Sequence, residues 1–454
     1  VSKNTMFIAI SGFATDGHKY IKQAIENGAS AIMVQEGAKI SKEDVTDDVT
    51  IIMAPDTRIA AAKVACNFYK NPSKKLKLIG VTGTKGKTTT TFMIKAILEA
   101  QGKKVGLIGT VANYICGKNL GESSRTTPDS LELQKLFSDM VEAGAEYAIM
   151  EVSSQALKLH RVDGCDFDIG VFTNFSEDHI SDHEHPDMED YFNSKLKLIE
   201  RSKASFINAD DFRVSKIKKL LPEKNIKSYG IDNEADLIAK DITITNSSVD
   251  FKVKINGKNE RVKTGIPGRF SVYNSLAAIS VACKLGVDAE TIKEALLNVR
   301  VPGRSELVDN KKGLTIMIDY AHSPESLQSI LSAVKSYTRG KVISVFGCGG
   351  DRDKTKRPIM GQISTNIADF TIITSDNPRT EDPDTIVNEI EVGAKKAKGK
   401  YKKIVNRTEA IKYAINMASK NDIIVLAGKG HETYQEINGV KHHYDEREII
   451  KEVI

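Results

Sequence analysis

The sequence predicts an α/β protein of three domains, and three observations carry the prediction. Its 454 residues are enough for about three domains at roughly 150 residues each. The apolar pattern changes character near residues 75 and 305. From residue 305 onward a strand–loop–helix unit repeats, as expected of a parallel sheet with helical crossovers.

Residues 1–74 read as a small α/β domain, with strands over 6–10, 31–34 and 50–53 and helices over 19–27 and 57–69. Asn27-Gly28 is a helix stop, and Asn71-Pro72-Ser73 with its lysines reads as a linker. Val1 is not Met, no signal-peptide pattern follows it, and the first strand begins almost at once, so residues are expected upstream. Residues 75–304 open with a strand over 76–82. A helix follows, with Phe92, Met93, Ala96, Ile97 and Ala100 at helical spacing. Further strands are expected over 105–108, 147–152 and 169–173. Residues 236–263 then alternate apolar and polar and turn at Asn256-Gly257, which predicts an antiparallel patch. A helix over 273–285 ends near Gly286.

In residues 305–454 strands are expected over 315–318, 342–346, 370–374 and 423–426. Each runs into a polar loop: Asp319-Tyr320-Ala321-His322-Ser323-Pro324, residues 347–356, residues 375–379, and Gly428-Lys429-Gly430-His431-Glu432. Open parallel sheets bind ligands beyond the carboxyl ends of their strands. Four such loops in succession therefore point to a site; ordinary polar turns are the alternative.

Composition excludes several classes. With 40% hydrophobic and 28% charged residues, the chain can bury several cores and is not a disordered one. A net charge of +5 spread over this length is too dilute to argue for nucleic acid or an anionic membrane as partner. Five cysteines without a CxxC pair point to a reducing cytoplasm rather than secretion. No apolar run approaches the roughly 18 residues of a membrane span.

Gly83-Thr84-Lys85-Gly86-Lys87-Thr88, between a strand and a helix, is the sharpest feature. Glycines let backbone N–H groups approach phosphate oxygens, and the helix N-terminus favours anions. Lys87 can reach the β- and γ-phosphates, and the Thr88 hydroxyl can ligate Mg²⁺. The longer phosphate-loop pattern wants Gly where Val81 stands, so this is the shorter GxxGKT form. Mg²⁺ needs further oxygen ligands. Glu151, at the end of its strand, could face the γ-phosphate. The loop after the 169–173 strand holds Asp178, His179, Asp182, His183 and His185; it reads either as a solvated loop or as a second metal site, oxygen-rich rather than zinc-like.

"GVTGTKGKTTT", "TTPDS", "EVSSQALKLHRV", "TNFSEDH", "YNSLAA", "VPGRSE", "DYAHSPESL", "FGCGGDRDKTKRP", "SDNPR" and "AGKGHE" occur in the order seen in the Mur ligase family, which the chain resembles over nearly its whole length. The glycine loop alone would fit any such ligase or a folylpolyglutamate synthase. The resemblance implies three domains: 1–74 holding the UDP end of the substrate, 75–304 binding ATP, and a Rossmann-like 305–454 binding the incoming amino acid. It also implies that ATP phosphorylates the D-Glu γ-carboxylate of UDP-N-acetylmuramoyl-L-alanyl-D-glutamate, that an amine attacks the acyl phosphate, and that no protein nucleophile takes part. Lys87 and Mg²⁺ would offset the charge repulsion between carboxylate and γ-phosphate.

Residue by residue, the resemblance places Gly83, Thr84, Lys85, Gly86, Lys87, Thr88 and Thr89 at ATP, with Asn274 near adenine and Arg304 at a hinge. Thr88, Glu151 and His179 become magnesium ligands. Lys195 matches a lysine that is carbamylated and so able to hold a second Mg²⁺; read without the family it is a helix lysine paired with nearby acids. Phe13, Ala14 and Thr15, in "SGFATDG", match a uridine-side loop. Thr126, Thr127, Ser153 and Arg161 match contacts to the muramoyl-dipeptide. Asp319 and His322 are expected to line an inter-domain ATP site, although Asp319 also reads as a strand-end cap.

Arg352, Asp376, Asn377, Pro378, Arg379, Gly428 and Glu432 match positions that bind meso-diaminopimelate. Its far end carries a carboxylate, onto which Arg379 can fork, and an ammonium, with which Glu432 can pair. Lysine has only the ammonium, and an unpaired buried Arg379 would repel it. The choice is therefore diaminopimelate, with L-lysine as the alternative amino acid and a surface ion pair as the alternative role for Arg379. An Asp-Ser-Arg segment usual near the family's start is absent, Gln155 stands where relatives often carry His, and Leu159 where some carry Gln. A monomer without nucleic-acid or membrane partners is expected. The reading from another class is a phosphate-loop regulatory module that hydrolyses ATP alone.

Overall fold

The computed structural model describes residues 1–12, 15–40, 48–121, 123, 125–177, 180–181 and 184–454. By their contacts these fall into two compact units, Val1–Lys87 with Gln101–Asp236, and Thr88–Ala100 with Leu237–Ile454.

The first unit contains two sheets. Thr5–Ile8, Ala29–Gln35 and Thr50–Ala54 form a parallel sheet in chain order. Its core is Ala9, Ile21, Ala24, Ile32 and Val34. The helix expected over 19–27 starts as a 3-10 turn, Gly17–Tyr20, and becomes α-helical over Ile21–Glu26. Asp16 caps the turn through the His18 N–H. The chain leaves this helix through Gly28 at φ +95°.

In the larger sheet the order is Ile226–Gly230, Ala204–Asn208, Ile169–Phe172, Lys77–Thr82, Tyr147–Glu151, Val105–Ile108, all parallel. Two short antiparallel strands, Tyr114–Ile115 and Lys118–Asn119, extend it. The middle strands are buried on both faces, which is why they read as unbroken apolar runs. Lys77–Thr82 lies between Tyr147–Glu151 and Ile169–Phe172, with Val81 opposite Glu151 and Thr82 opposite Phe172. That register brings the glycine turn, Glu151 and the Thr173-Asn174 segment to one end of the sheet.

The second unit has an antiparallel sheet of Lys240–Ile244, Val249–Ile255 and Lys258–Thr264. Val249–Ile255 alternates buried and partly or fully exposed positions along its length, as a one-sided sheet requires. Asn256 and Gly257 both take positive φ at the expected turn. The helix expected over 273–285 is Arg269–Lys284. The other sheet of this unit has the order Glu306–Leu307, Thr315–Asp319, Ile423–Ala427, Val342–Phe346, Phe370–Ile373, Lys400–Lys403. All its pairings are parallel except that of Glu306–Leu307. Apolar cores lie on both faces, one built on Leu331, Phe346 and Ile390, the other on Ile343, Ile411 and Ile450. All four strands expected in this region are present, and their polar loops gather at the carboxyl ends. No helix among the described residues is long and apolar enough to cross a membrane.

Candidate active site

In the first unit the glycine turn is held by the segment that follows Ile169–Phe172. The Lys85 N–H donates to Asn174 Oδ1 at 2.9 Å, and Asn174 Nδ2 and Thr173 Oγ1 donate to the Lys85 carbonyl at 2.9 and 2.7 Å. Gly83 has φ +140°, and a Cβ there would lie 1.9 Å from Thr173 Oγ1. Only glycine meets both constraints. Thr84 Oγ1 accepts from the Ser176 N–H and from the Tyr191 hydroxyl at 3.1 and 3.2 Å, so this threonine braces the turn. Lys87 Nζ donates to the Gly83 and Thr84 carbonyls at 2.9 and 3.0 Å, tying its cation to the turn itself.

Lys195 is buried on the helix Met188–Arg201. Its Nζ donates to the Gly83 carbonyl at 2.9 Å and sits 4.5 Å from the Tyr191 ring centre. It is therefore beside the glycine turn and not on a solvated face. Glu151 is also buried. Its Oε1 accepts from the Thr110 N–H at 2.9 Å and its Oε2 from Thr110 Oγ1 at 3.1 Å. A Cβ on Gly109 would meet Glu151 Oε1 at 2.4 Å, so the glycine makes room for the carboxylate. Thr110 Oγ1 lies 3.0 Å from Thr126 Oγ1. Thr127 Oγ1 donates to the Glu151 carbonyl at 2.9 Å and accepts from the Ser153 N–H at 3.0 Å.

A cavity of about 450 Å³ opens here, and Lys87, Thr126, Thr127, Ser153, Arg161 and Lys195 all line it. These six come from five separate stretches of sequence. Arg161 donates to the Thr127 carbonyl at 3.2 Å and pairs with Asp129 at 2.9 Å. Arg125, with no role expected from sequence, and His185, expected only within the loop that reads as a candidate metal site, also line the cavity. The His185 ring nitrogens are both engaged, by Asp190 at 2.6 Å and Ser154 Oγ at 2.9 Å. Burial pushes its pKa down despite Asp190, which fits a ring bracing the wall. His179, Phe13 and Ala14 lie outside the described residues. Thr15 is exposed, with its hydroxyl 3.3 Å from Tyr20 Oη.

Thr88 and Thr89 are buried at the start of Lys87–Ala100. Asn274, on Arg269–Lys284, accepts at 3.4 Å from Thr90 on that helix. In the later sheet, Asp319 Oδ2 accepts from the Ser305 N–H and hydroxyl at 2.7 and 3.3 Å, and burial raises its pKa. Arg304 stacks over Tyr320 at 4.8 Å, and the His322 ring meets Tyr320 edge-on at 4.6 Å. His431 lies 4.9 Å from the same ring. A Cβ on Gly303 would fall 2.1 Å from the His431 nitrogen, so the segment before Arg304 is locked onto the Gly428–Glu432 loop.

The Asp376-Asn377-Pro378-Arg379 turn meets that same loop. Asn377 Nδ2 donates to Glu432 at 2.8 Å, and its Oδ1 accepts from buried Lys429 at 3.0 Å. A Cβ on Gly428 would lie 2.5 Å from Asp376 Oδ2. Burial, and next the charge of Asp376, raises the Glu432 pKa. Arg379 corrects one expectation. It is not unpaired: Nε meets Glu436 Oε2 at 3.1 Å and Nη1 donates to the Gly350 carbonyl at 2.8 Å. Glu436 comes from a hairpin, Tyr434–Ile437 with Val440–His443, that the sequence reading missed although Asn438-Gly439 marks its turn. Arg379 and Pro378 line a cavity of about 820 Å³ that does not include Asp376, Asn377, Gly428 or Glu432. Arg352 is exposed and donates only weakly, to the Asp351 carbonyl at 3.4 Å. Lys429, Thr110 and Asn174 are further residues of these sites. Lys429 and Asn174 stood inside motifs quoted from the sequence; nothing around Thr110 marks it.

Known proteins resemble the chain along its whole length. Family models match in succession: the Mur ligase family catalytic domain over residues 1–69, the Mur ligase middle domain over 81–282, and the Mur ligase glutamate ligase domain over 303–430. The chain is 50% identical over 452 residues to the UDP-N-acetylmuramoyl-L-alanyl-D-glutamate–2,6-diaminopimelate ligase of Caldanaerobacter subterraneus, covering 99% of this chain and 92% of that one. It is 46% identical to the ligase of the same name from Clostridium botulinum, covering 100% and 93%. A solved structure of a ligase of that name is 31% identical with a TM-score of 0.72, covering 100% of this chain and 92% of that one. N-terminal, middle and C-terminal matches in that order, with a relative 50% identical over nearly the whole length, place the chain in the Mur ligase family.

Proposed function

We infer that this chain is an ATP-dependent amide-forming ligase that adds meso-diaminopimelate to the D-Glu γ-carboxylate of UDP-N-acetylmuramoyl-L-alanyl-D-glutamate in peptidoglycan synthesis. The observation that carries the reading is its 50% identity, over nearly its full length, to a ligase named for that reaction. The cavity joining Lys87, Arg161 and Lys195 supports it, because carboxylate and phosphate groups need that concentration of cations.

In this reading a γ-carboxylate oxygen attacks the γ-phosphorus of ATP and ADP leaves. The amine nitrogen then attacks the acyl carbon, loses a proton, and phosphate departs as the amide forms. Lys87 turns from the loop carbonyls to the phosphates. Thr126, Thr127, Ser153 and Arg161 orient the dipeptide, and Thr15 lies on the uridine side with Phe13 and Ala14. Asn274, Arg304, Asp319 and His322 serve ATP. The buried Glu151 carboxylate, given room by Gly109, and the Thr88 hydroxyl are oxygen donors suited to Mg²⁺, with His179 and a carbamate on Lys195 completing the set. Bound Mg²⁺ would neutralise phosphate charge. Arg352, the Asp376–Arg379 turn, Gly428 and Glu432 take the amino acid, with Arg379 on the distal carboxylate. The domain limits at residues 74 and 304 belong to this reading, as do a monomeric state and a cytoplasmic location, where ATP is at hand and the five cysteines remain free thiols.

One assay tests it: ADP release with the UDP-dipeptide and either diaminopimelate or L-lysine. Turnover with diaminopimelate is expected. Turnover with lysine alone would remove the role of Arg379, and turnover without any amino acid would favour an ATP-hydrolysing module.

A further inference from the structure

The hairpin after the Gly428–Glu432 loop is stitched to the Asp376–Arg379 turn. Gln435 Nε2 donates to the Asp376 carbonyl at 2.6 Å, and the Glu436 N–H donates to Asn377 Oδ1 at 3.0 Å. The Arg379 N–H donates to the Glu436 carbonyl at 3.0 Å, and the Asn438 N–H to the Arg379 carbonyl at 2.7 Å. Arg379 itself sits at φ +52°, a backbone state that costs a non-glycine residue energy and persists where the surroundings enforce it. Its guanidinium is then held at two of its three nitrogens, by Glu436 at Nε and by the Gly350 carbonyl at Nη1. A Cβ on Gly349 would lie 2.8 Å from Nη1, so this glycine leaves room for the fork. Nη2 has no hydrogen bond among the described residues.

We propose that Glu436 is a positioning residue for amino-acid selection, holding Nε of Arg379 so that the guanidinium is aimed with Nη2 presented to the distal carboxylate of diaminopimelate. This rests on the function inferred above and extends its amino-acid site to the hairpin. An arginine fork binds a carboxylate well only when its plane is aimed. A mobile side chain would lose rotamer freedom on binding, and a carboxylate on Nε removes that loss beforehand. The same charge compensates Arg379 when no distal carboxylate is present. Lysine offers nothing for Arg379 to hold, so Glu436 can aid only the two-headed amino acid.

The test is a double-mutant cycle in the full chain, reading KM for diaminopimelate at saturating ATP and UDP-dipeptide. Glu436→Ala should raise that KM about tenfold, the usual scale for losing a hydrogen bond to a charged group, with kcat and the KM for ATP little changed. Glu436→Gln, which keeps an acceptor oxygen, should recover most of the loss. In an Arg379→Ala background, Glu436→Ala should add less than about twofold, because it acts through that arginine. Unchanged KM in Glu436→Ala, equal loss of diaminopimelate and ATP binding, or full additivity with Arg379→Ala would each overturn the proposal. Wild-type turnover with diaminopimelate reports separately on the inferred function.

Discussion

Glu151 and His431 show how far a single side chain's surroundings decide its chemistry. Glu151 is a strand-end carboxylate in the sequence; in the fold it is buried, spanned by both donors of Thr110 and accommodated by Gly109. Glu151→Gln keeps the shape and removes the charge. It should lower kcat for ADP release by about 100-fold or more while the thermal unfolding midpoint stays nearly unchanged; a large fall in the midpoint would mean a structural role instead. His431 is held down to about 4 by burial and then by the charges of Arg304 and Arg447, with His322 a smaller influence. Its unfolded value is 6.5, so between these pH values the unfolded chain binds a proton that the folded chain does not. Its share of stability is therefore complete above pH 6.5 and is lost as pH falls toward 4, at most about 2 kcal/mol once its partial exposure is allowed for. His431→Gln should flatten the fall in unfolding midpoint across that window, and an unaltered acid profile would show that other groups govern it.

At the scale of elements, the glycine turn and the Asx-Pro-Arg turn were both legible, because each needs particular residues at fixed spacing. Gly83→Ala should destabilise the chain by about 1–3 kcal/mol in urea unfolding and abolish ADP release, since the added methyl group cannot coexist with Thr173 Oγ1; wild-type activity would contradict the observed backbone. Strands buried on both faces, such as Val105–Ile108 and Val342–Phe346, were read correctly to the residue. Lys400–Lys403 was not. It pairs on one side only, with Phe370–Ile373, and an edge strand rich in lysine carries no apolar signal. Ala204–Asn208 was missed because five residues with Ser and Asn among them read equally as a turn. The Tyr434–His443 hairpin had its Asn-Gly turn in plain view, but its four-residue strands are polar and mostly exposed, and they carry no apolar alternation.

At the scale of the molecule, the groups inferred to serve phosphoryl transfer from the first unit, Lys87, Glu151, Arg161 and Lys195, are apart in sequence and in unit from those inferred to choose the amino acid. Acyl-phosphate formation should therefore be separable from amide formation. With UDP-dipeptide and ATP labelled at the β,γ-bridging oxygen, label should scramble without any amino acid. Arg379→Ala should leave that exchange within about twofold while it cripples product formation; loss of both together would mean that the two steps are not separable. The sequence by itself determined the α/β class, the phosphate turn and the residue types that the chemistry requires, because backbone geometry and local spacing are short-range constraints written residue by residue. Only the tertiary structure decided that Lys195 lies beside the glycine turn, that Thr110 holds Glu151, and that Arg379 is already paired with Glu436. Those contacts join residues 41 to 112 positions apart, and which distant side chains meet follows from strand order and packing, which no local pattern encodes.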